Sequence, residues 1–472
     1  MKKHPNNDRN LFKRLIRYLS KHRWSYVLVC LLVVIVVLVT KLIINLNGGD
    51  FDLKRYLDSI IDVKTFVTVV LVFVLTVIAN IITELLAPKV EDFLKLTKDY
   101  DKLVNKYKAF STLLTYKNKD SLNKDIGRKK TSSFAHNFNK ETGQYDGLED
   151  SYTFPIIKLT SLYDKTTVIV FDFDKAPIYK RPSWVEKHSD DLFTAHSHSK
   201  IYNQQNIRVD NIECIDNKVN IYLSKTTYFD SLITNRACDY EINGVSVREL
   251  YEPGPYLHDL KDSLLSNHLG FNGMVETSDH KFIFIKRHNK VSIAKNTLQA
   301  SIGASLKVRN ALTKDKKIDT SSVSNAIIKE MVDEFSLRYL NNYEEVLEVI
   351  NKEFSFKKNV LYFYRDLLEC GKPQLMFYYK LPISSNEIET AFKVGIKKAK
   401  RNKDKYGLYN SIDGHKMIFV DKEDLDSLYL TPDGITIDKK FYPSVPSAVA
   451  TVVMMLDYLN NSGAIDNRNA AE

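Results

Sequence analysis

The sequence predicts two transmembrane α-helices followed by a cytosolic mixed α/β (α+β) domain with a β-rich N-terminal extension. Three observations predict this fold class: two long apolar runs near the N-terminus, a central segment of strand-like patterns, and a later alternation of strands with amphipathic helices. At 472 residues, 44% of them hydrophobic, the chain has room for several domains and a sizeable core. Its net charge of +10 is typical of proteins that meet an anionic ligand or an anionic membrane surface, without choosing between them.

The two apolar runs predict a membrane hairpin with spans at about 24–44 and 65–86, each close to the ~20 residues that cross hydrocarbon as a helix. Residues 1–23 are strongly basic, whereas the connector between the runs balances its charges. This bias predicts a multi-pass protein whose N- and C-termini are both cytoplasmic. A signal peptide is disfavoured because no small-residue cleavage site follows the first run.

The second predicted span carries polar residues along one side of its helix. Such residues face partner helices or water in membranes, and this favours a packing or pore-lining face. The alternative is that the threonines bond back to their own helix and the carboxylate lies at the interface. The residues of this face are Thr68, Thr76, Asn80, Thr83 and Glu84.

Residues 89–117 show apolar steps of three and four, the pattern of an amphipathic stalk with a coiled-coil seam. The alternative is an amphipathic helix docked on its own domain. Residues 118–150 are polar and lysine-rich and predict a linker, and 151–240 predict a β-rich extension. The seam would be formed by Phe93, Leu96, Tyr100, Leu103, Tyr107, Phe110 and Leu114.

A predicted helix from Asn325 to about Phe335, capped by Ser324, carries a trio of carboxylates. Glu330, Asp333 and Glu334 stand at i, i+3 and i+4 and therefore share one face. Such a trio can bind Mg²⁺, which prefers oxygen ligands and bridges to substrate phosphates. The alternative is a solvated acidic face on an amphipathic helix.

Basic residues that can pair with an anionic ligand's phosphates cluster in sequence around the preceding predicted strands. The alternative for each is a solvated surface position. They are Lys286, Arg287, Lys295, Lys307 and Arg309.

The region 241–460 resembles a Nudix domain. The resemblance is carried by 266–271, by the strand that ends at Lys286-Arg287-His288, by 302–305, by the helix over 325–337 and by 371–378. It implies that Glu330, Asp333 and Glu334 bind Mg²⁺ as the cofactor, and that Glu330 and Glu334 are catalytic if the domain is active.

The sequence departs from the Nudix pattern at several positions of its signature segment. Lys329 replaces the family's Arg, Asp333 one Glu and Ser336 the Gly, while Asp315 and Ser321 stand where the opening Gly and first Glu are expected. Lysine keeps the charge but loses the bidentate fork of arginine. Ligand binding is therefore favoured over efficient hydrolysis.

Two predicted spans followed by a Nudix-like domain resemble the membrane effectors of bacterial cyclic-oligonucleotide anti-phage systems (CBASS). The resemblance implies an inner-membrane protein that senses a cyclic nucleotide made by a partner cyclase, forms homo-oligomers and disrupts membrane lipid, causing abortive infection. No nucleic acid polymer is expected as a partner. The alternatives are a membrane-anchored Nudix hydrolase of a nucleoside diphosphate derivative, and a scaffold with an inert Nudix fold.

Overall fold

The computed structural model describes residues 100–107, 112–118, 151–163, 166–196, 203–287, 296–401 and 414–462, which fall in one compact unit, Lys95–Glu472. The α-helices are α1 Tyr100–Lys106, α2 Ser183–Lys187, α3 Ser189–Thr194, α4 Tyr228–Ile233, α5 Val247–Tyr251, α6 Val308–Ala311, α7 Thr320–Glu334, α8 Tyr343–Glu353, α9 Phe356–Asn359, α10 Ser385–Arg401 and α11 Pro446–Asn461. The strands are β1 Leu113–Lys117, β2 Ser151–Ser161, β3 Val168–Ile178, β4 Gln205–Ile215, β5 Lys218–Thr227, β6 Gly270–Glu276, β7 Lys281–Arg287, β8 Leu298–Gln299, β9 Ile302–Ser305, β10 Val360–Asp366, β11 Lys372–Lys380, β12 Gly414–Asp421, β13 Tyr429–Thr431, β14 Gly434–Ile437 and β15 Lys440–Pro443.

Within these residues, nine strands form a mixed central sheet. Its order is β1-β2-β10-β11-β6-β7-β12, with β8 paired to β7 and β9 paired to β6. Strands β11 and β6 are parallel, whereas β7 is antiparallel to both β6 and β12. Strands β11, β6 and β12 therefore run in the same direction, and their carboxyl ends meet at one end of the sheet.

Helices cover both faces of the central sheet. On one face α7 buries Ile327 and Met331 in a core that also contains Phe271. On the other face α11 buries Val449 and Val453 in a second core. Because alternate strand residues point to opposite faces, the sheet supplies side chains to both cores, and the result is a helix–sheet–helix arrangement.

Helix α7 begins earlier than its sequence pattern predicts. The Asp319 carboxylate accepts from the Ser322 amide at 2.7 Å, and the Ser322 hydroxyl accepts from the Asp319 amide at 3.0 Å. This capping box starts the helix at Thr320. The prediction that Ser324 caps the helix is wrong. Ser324 lies inside the helix, where its hydroxyl donates to the Thr320 carbonyl and accepts from the Phe356 amide.

The β-rich extension packs against the rest of the fold. Strand β2 joins the central sheet, and β3, β5 and β4 form a separate three-stranded sheet among the described residues. Backbone bonds tie that sheet to the central one, from the Ile207 amide to the Leu306 carbonyl at 2.9 Å and from the Leu269 amide to the Ile207 carbonyl at 2.8 Å. The ends of β4, β6 and β9 are thereby held together.

The structure differs from the stalk predicted over 89–117. Its described part contains α1, which ends at Lys106, and then β1, which pairs with β2 at the edge of the central sheet. Tyr100, Leu103 and Tyr107 are buried in a small core of this same unit. The apolar residues of this segment therefore pack against their own domain, as the alternative to a stalk predicts. Apart from Asn118, the predicted linker lies outside the described residues.

No helix in the described part of the chain is long and apolar enough to cross a membrane. Apolar α11, for example, has 16 residues and rises about 24 Å, less than the ~30 Å of a hydrocarbon core. This finding corrects two predictions, the fold class with two transmembrane helices and the multi-pass inner-membrane localisation. The described residues form a mixed α/β fold with large sheets. The predicted spans, 24–44 and 65–86, lie outside the described residues, as do Thr68, Thr76, Asn80, Thr83 and Glu84.

Candidate functional site

The carboxylate Glu330 of α7 meets a basic residue that is distant in sequence. Lys307 lies two residues after the end of β9, and its ammonium group donates to Glu330 Oε1 at 2.5 Å. The side-chain Nδ2 of Asn310 donates to the same oxygen at 3.2 Å. The Lys329 ammonium group donates to Oδ1 of Asn310 at 3.0 Å. The side chains of Lys307 and Glu330 are 17% and 12% exposed, so this ion pair is largely withdrawn from water.

The other two carboxylates of the predicted metal trio lie on the last turn of α7. Asp333 accepts from the Arg338 guanidinium, and Glu334 is half-buried. Among the described residues, no group of three or more His, Cys, Asp or Glu side chains is arranged to hold a metal ion. The Mg²⁺ site of Glu330, Asp333 and Glu334 therefore stays a prediction.

The end of α7 has the backbone conformation that glycine favours, at a position where the sequence departs from the Nudix pattern. Ser336, which stands where the family has glycine, adopts a left-handed conformation with φ of 60°. That conformation suits glycine, because a side chain there approaches the following carbonyl. This position is therefore conformationally demanding, and serine occupies it.

The remaining predicted phosphate-binding residues are only partly brought together. Lys286 and Arg287 are the last residues of β7, at the end of the sheet where β6 begins. Arg287 donates to the Gln299 side chain. Arg309 lies on α6 and is exposed. Lys295 lies outside the described residues.

A buried polar cluster next to Lys307 was missed by sequence reasoning. Ser305, two residues before Lys307, is hydrogen-bonded to His268 Nε2 at 2.9 Å. Asn206 forms a backbone bridge with Lys307, and Asn267 accepts from the Asn235 side chain at 3.1 Å. His268, Asn206 and Asn267 are all fully buried. The only available signal was the polar run 266–268, which carried part of the family resemblance.

Several polar atoms of this cluster lack a hydrogen-bond partner among the described residues. They are the side-chain atoms Nδ2 and Oδ1 of Asn206, Nδ2 of Asn267 and Nδ1 of His268. Burial, together with the nearby cations Lys372 and Arg236, lowers the pKa of His268 well below its usual value, so its imidazole is neutral at neutral pH. The cluster thus offers neutral donors and acceptors beside the Lys307–Glu330 pair.

A cavity of about 420 Å³ lies elsewhere, between β1, β2 and α11. Lys158, Asp457 and Asn460 contribute its polar groups, and Tyr116 and Val453 contribute apolar surface. None of the residues predicted for the site lines it.

The fold and this site define a mixed α/β protein with a buried polar cluster beside a lysine–glutamate pair. No protein-family model matches the chain, and no curated protein matches it.

Proposed function

We propose that the Nudix-like part of this chain binds a nucleotide and acts as a nucleotide-responsive effector. Lys307 would hold a phosphate, and the cluster around His268 would contact the base. The cyclic nucleotide of an anti-phage signalling system is the ligand class that the family resemblance implies. The membrane-disrupting part of the expected function depended on the corrected localisation and is not part of this proposal.

The observation that carries the proposal is the set of buried, unpartnered polar atoms beside Lys307. Leaving a buried donor or acceptor unsatisfied costs about 1–3 kcal/mol, so a group that satisfies several of them gains substantially on binding. Asn206 presents both an amide donor and an acceptor, the pair that an asparagine uses to read the edge of adenine. His268 Nδ1 adds another contact from the same cluster.

Lys307 can contribute to a phosphate site while it remains paired. An ammonium group has three N–H donors, so its bond to Glu330 leaves capacity for a phosphate oxygen. Lys329 and Arg309 add positive charge nearby in the sequence. The three basic residues outnumber the one acid of this group, Glu330, so the local charge favours binding of an anion.

The contacts of the α7 carboxylates favour ligand sensing over hydrolysis. A metal ion bound by Glu330 would have to compete with Lys307 and Asn310, and one bound by Asp333 with Arg338. Metal-assisted hydrolysis requires such carboxylates to be available to the ion. Lys329 and Ser336, which stand where the Nudix pattern has Arg and Gly, also favour ligand binding over hydrolysis.

Thermal unfolding of the full chain with a panel of cyclic di- and trinucleotides tests the proposal. A ligand at 100 times its dissociation constant adds about 2.7 kcal/mol to the free energy of unfolding and raises the unfolding temperature. Lys307→Gln should weaken the binding found by calorimetry about tenfold or more, the loss of one charge-assisted contact. The matched control is Lys314→Gln, an exposed lysine of the α6–α7 connection, which should change affinity less than about twofold.

Two results would overturn the proposal. The first is that no cyclic nucleotide raises the unfolding temperature. The second is Mg²⁺-dependent release of product from a nucleoside diphosphate derivative that Glu334→Gln abolishes, since that result identifies a Nudix hydrolase.

A further inference from the structure

A second cluster of charged side chains lies at the opposite end of β6 from the Lys307 pair. Glu276 is the last residue of β6, and Lys380, the last residue of β11, is its partner in the parallel register. Lys422 directly follows β12. Since β11, β6 and β12 run in the same direction, these side chains meet at the carboxyl ends of three strands. In open, mostly parallel α/β sheets, ligands bind outside the carboxyl ends of the strands.

A buried carboxylate lies at the centre of the cluster. The Glu276 side chain is 1% exposed and accepts from the Tyr378 hydroxyl. His280 Nδ1 lies 2.8 Å from Glu276 Oε1, while the imidazole is 60% exposed. A carboxylate bound to one ring nitrogen orients the imidazole and leaves the other, Nε2, for a ligand.

Two ammonium groups flank this carboxylate without donating to it. Lys380 Nζ is 3.8 Å from Glu276 Oε1, and Lys422 Nζ is 3.9 Å from Glu276 Oε2, both beyond hydrogen-bond distance. Lys380 Nζ also lies 3.5 Å from His280 Nδ1. Two cations therefore share one anion, so the cluster has a net positive charge before any contribution from His280. Its N–H donors suit an anion with several acceptor oxygens.

The neighbouring acidic side chains are engaged by other groups. Asp279 accepts from the Ser385 amide at 2.7 Å and from the Ser385 hydroxyl at 2.6 Å, at the start of α10. Burial opposes ionisation of Asp279, but these hydrogen bonds and those from Thr277 and the backbone outweigh it and lower its pKa to about 2. Asp421 lies 3.7 Å from Lys281. Neither carboxylate is paired with Lys380 or Lys422.

The backbone holds His280 in place before any ligand binds. Its φ of 60° is the left-handed conformation, which is uncommon for a residue other than glycine. The His280 amide donates to the Thr277 carbonyl at 3.0 Å, and the Lys422 amide donates to the His280 carbonyl at 2.9 Å. These bonds join the β6–β7 turn to the end of β12.

We propose that Glu276, His280, Lys380 and Lys422 form a binding site for a phosphate group, separate from the proposed nucleotide site. Lys380, Lys422 and His280 Nε2 contact the phosphate oxygens. Glu276 orients His280 from beneath and is a positioning residue. Inorganic phosphate and a phosphate monoester share this chemistry.

Calorimetric titration of the full chain with inorganic phosphate, and separately with phenyl phosphate, tests the site. Replacing both lysines, Lys380→Gln with Lys422→Gln, should weaken phosphate binding about tenfold or more. Lys281→Gln is the matched control, since it removes a neighbouring lysine, the first residue of β7, that is paired with Asp421. It should change affinity less than about twofold. Tighter binding of one probe identifies the free anion or the ester as the preferred source of the group.

The His280 imidazole resonance gives a second readout that does not depend on stability. Assigned through its loss in His280→Gln, it should shift on titration of the wild-type chain and saturate with the calorimetric affinity. Lys307→Gln should leave the His280 titration unchanged, because this resonance reports the site at the end of β6 alone. Failure of the nucleotide site is therefore distinguishable from failure of this one. Equal affinity in the wild type and the double variant, or no saturable binding below about 10 mM, would overturn the proposal.

Discussion

Ser336 combines two unfavourable features in one side chain. It adopts φ of 60° after α7, and its buried hydroxyl has no partner among the described residues. Glycine relieves both, because it tolerates the left-handed conformation and carries no polar group. We expect Ser336→Gly to raise the free energy of unfolding by about 1 kcal/mol, measured by urea denaturation.

Ser336→Ala separates the two contributions. Alanine removes the hydroxyl but keeps the Cβ atom that disfavours φ above zero. Its gain should therefore be smaller than that of Ser336→Gly. Equal stability of the glycine and alanine variants would show that the backbone conformation contributes nothing here.

Single residues also show how far the site could be predicted from the sequence. The carboxylates Glu330, Asp333 and Glu334 do lie on one helix, because their spacing is local. Their partners could not be predicted, since Lys307 precedes Glu330 by 23 residues and the pairing depends on how β9 and α7 pack. His268 was missed for the same reason: its cluster is assembled from strands and connections far apart in sequence.

At the scale of elements, α7 depends on the capping box at its first turn. Asp319 satisfies the Ser322 amide, one of the four donors that a helix start leaves unpaired. We expect Asp319→Ala to lower the free energy of unfolding by about 1 kcal/mol, measured by urea denaturation. Asp315→Ala, at an exposed position of the preceding loop, should change it by less than about 0.5 kcal/mol. Equal effects of the two substitutions would exclude a capping role for Asp319.

Elements also show where sequence patterns failed. The steps of three and four through Leu114 predicted one continuous helix, yet Leu113–Lys117 is a strand. Pairing with β2 decides this, because strand formation depends on neighbours more than on local preference. The strands β4 and β5 were predictable, since their alternating patterns flank a turn at Asp216, whose φ of 51° suits such a turn.

At the scale of the whole molecule, the central sheet separates two polar sites. Lys307 and His268 lie where β6 begins, and Glu276 and His280 where it ends. The sheet order that creates these two ends joins strands more than 100 residues apart, such as β6 with β11. No local pattern encodes that pairing, so the mixed α/β class was predictable and the location of the sites was not.

The stability of the whole fold should depend on a carboxyl group buried at the β10–β11 connection. Asp366 is 1% exposed, and burial, reinforced by the nearby Glu369, raises its pKa to about 7. The folded state therefore binds a proton that the unfolded state releases at lower pH. This contribution to stability is complete below the ordinary pKa of aspartate and is lost as pH rises through about 7.

We expect Asp366→Asn to remove this pH dependence, because an amide does not ionise and can still accept from the Leu368 amide, which lies 2.9 Å from Asp366 Oδ1. Urea denaturation at a series of pH values from about 4 to 8 measures the effect. Relative to the variant, the wild type should lose stability with rising pH by up to about 1.4 kcal/mol per unit. The exposed control Asp315→Asn should follow the wild-type curve. A constant difference between the wild type and Asp366→Asn across this range would show that Asp366 is already ionised in the folded protein, with its charge stabilised by Lys372 and the surrounding hydrogen bonds.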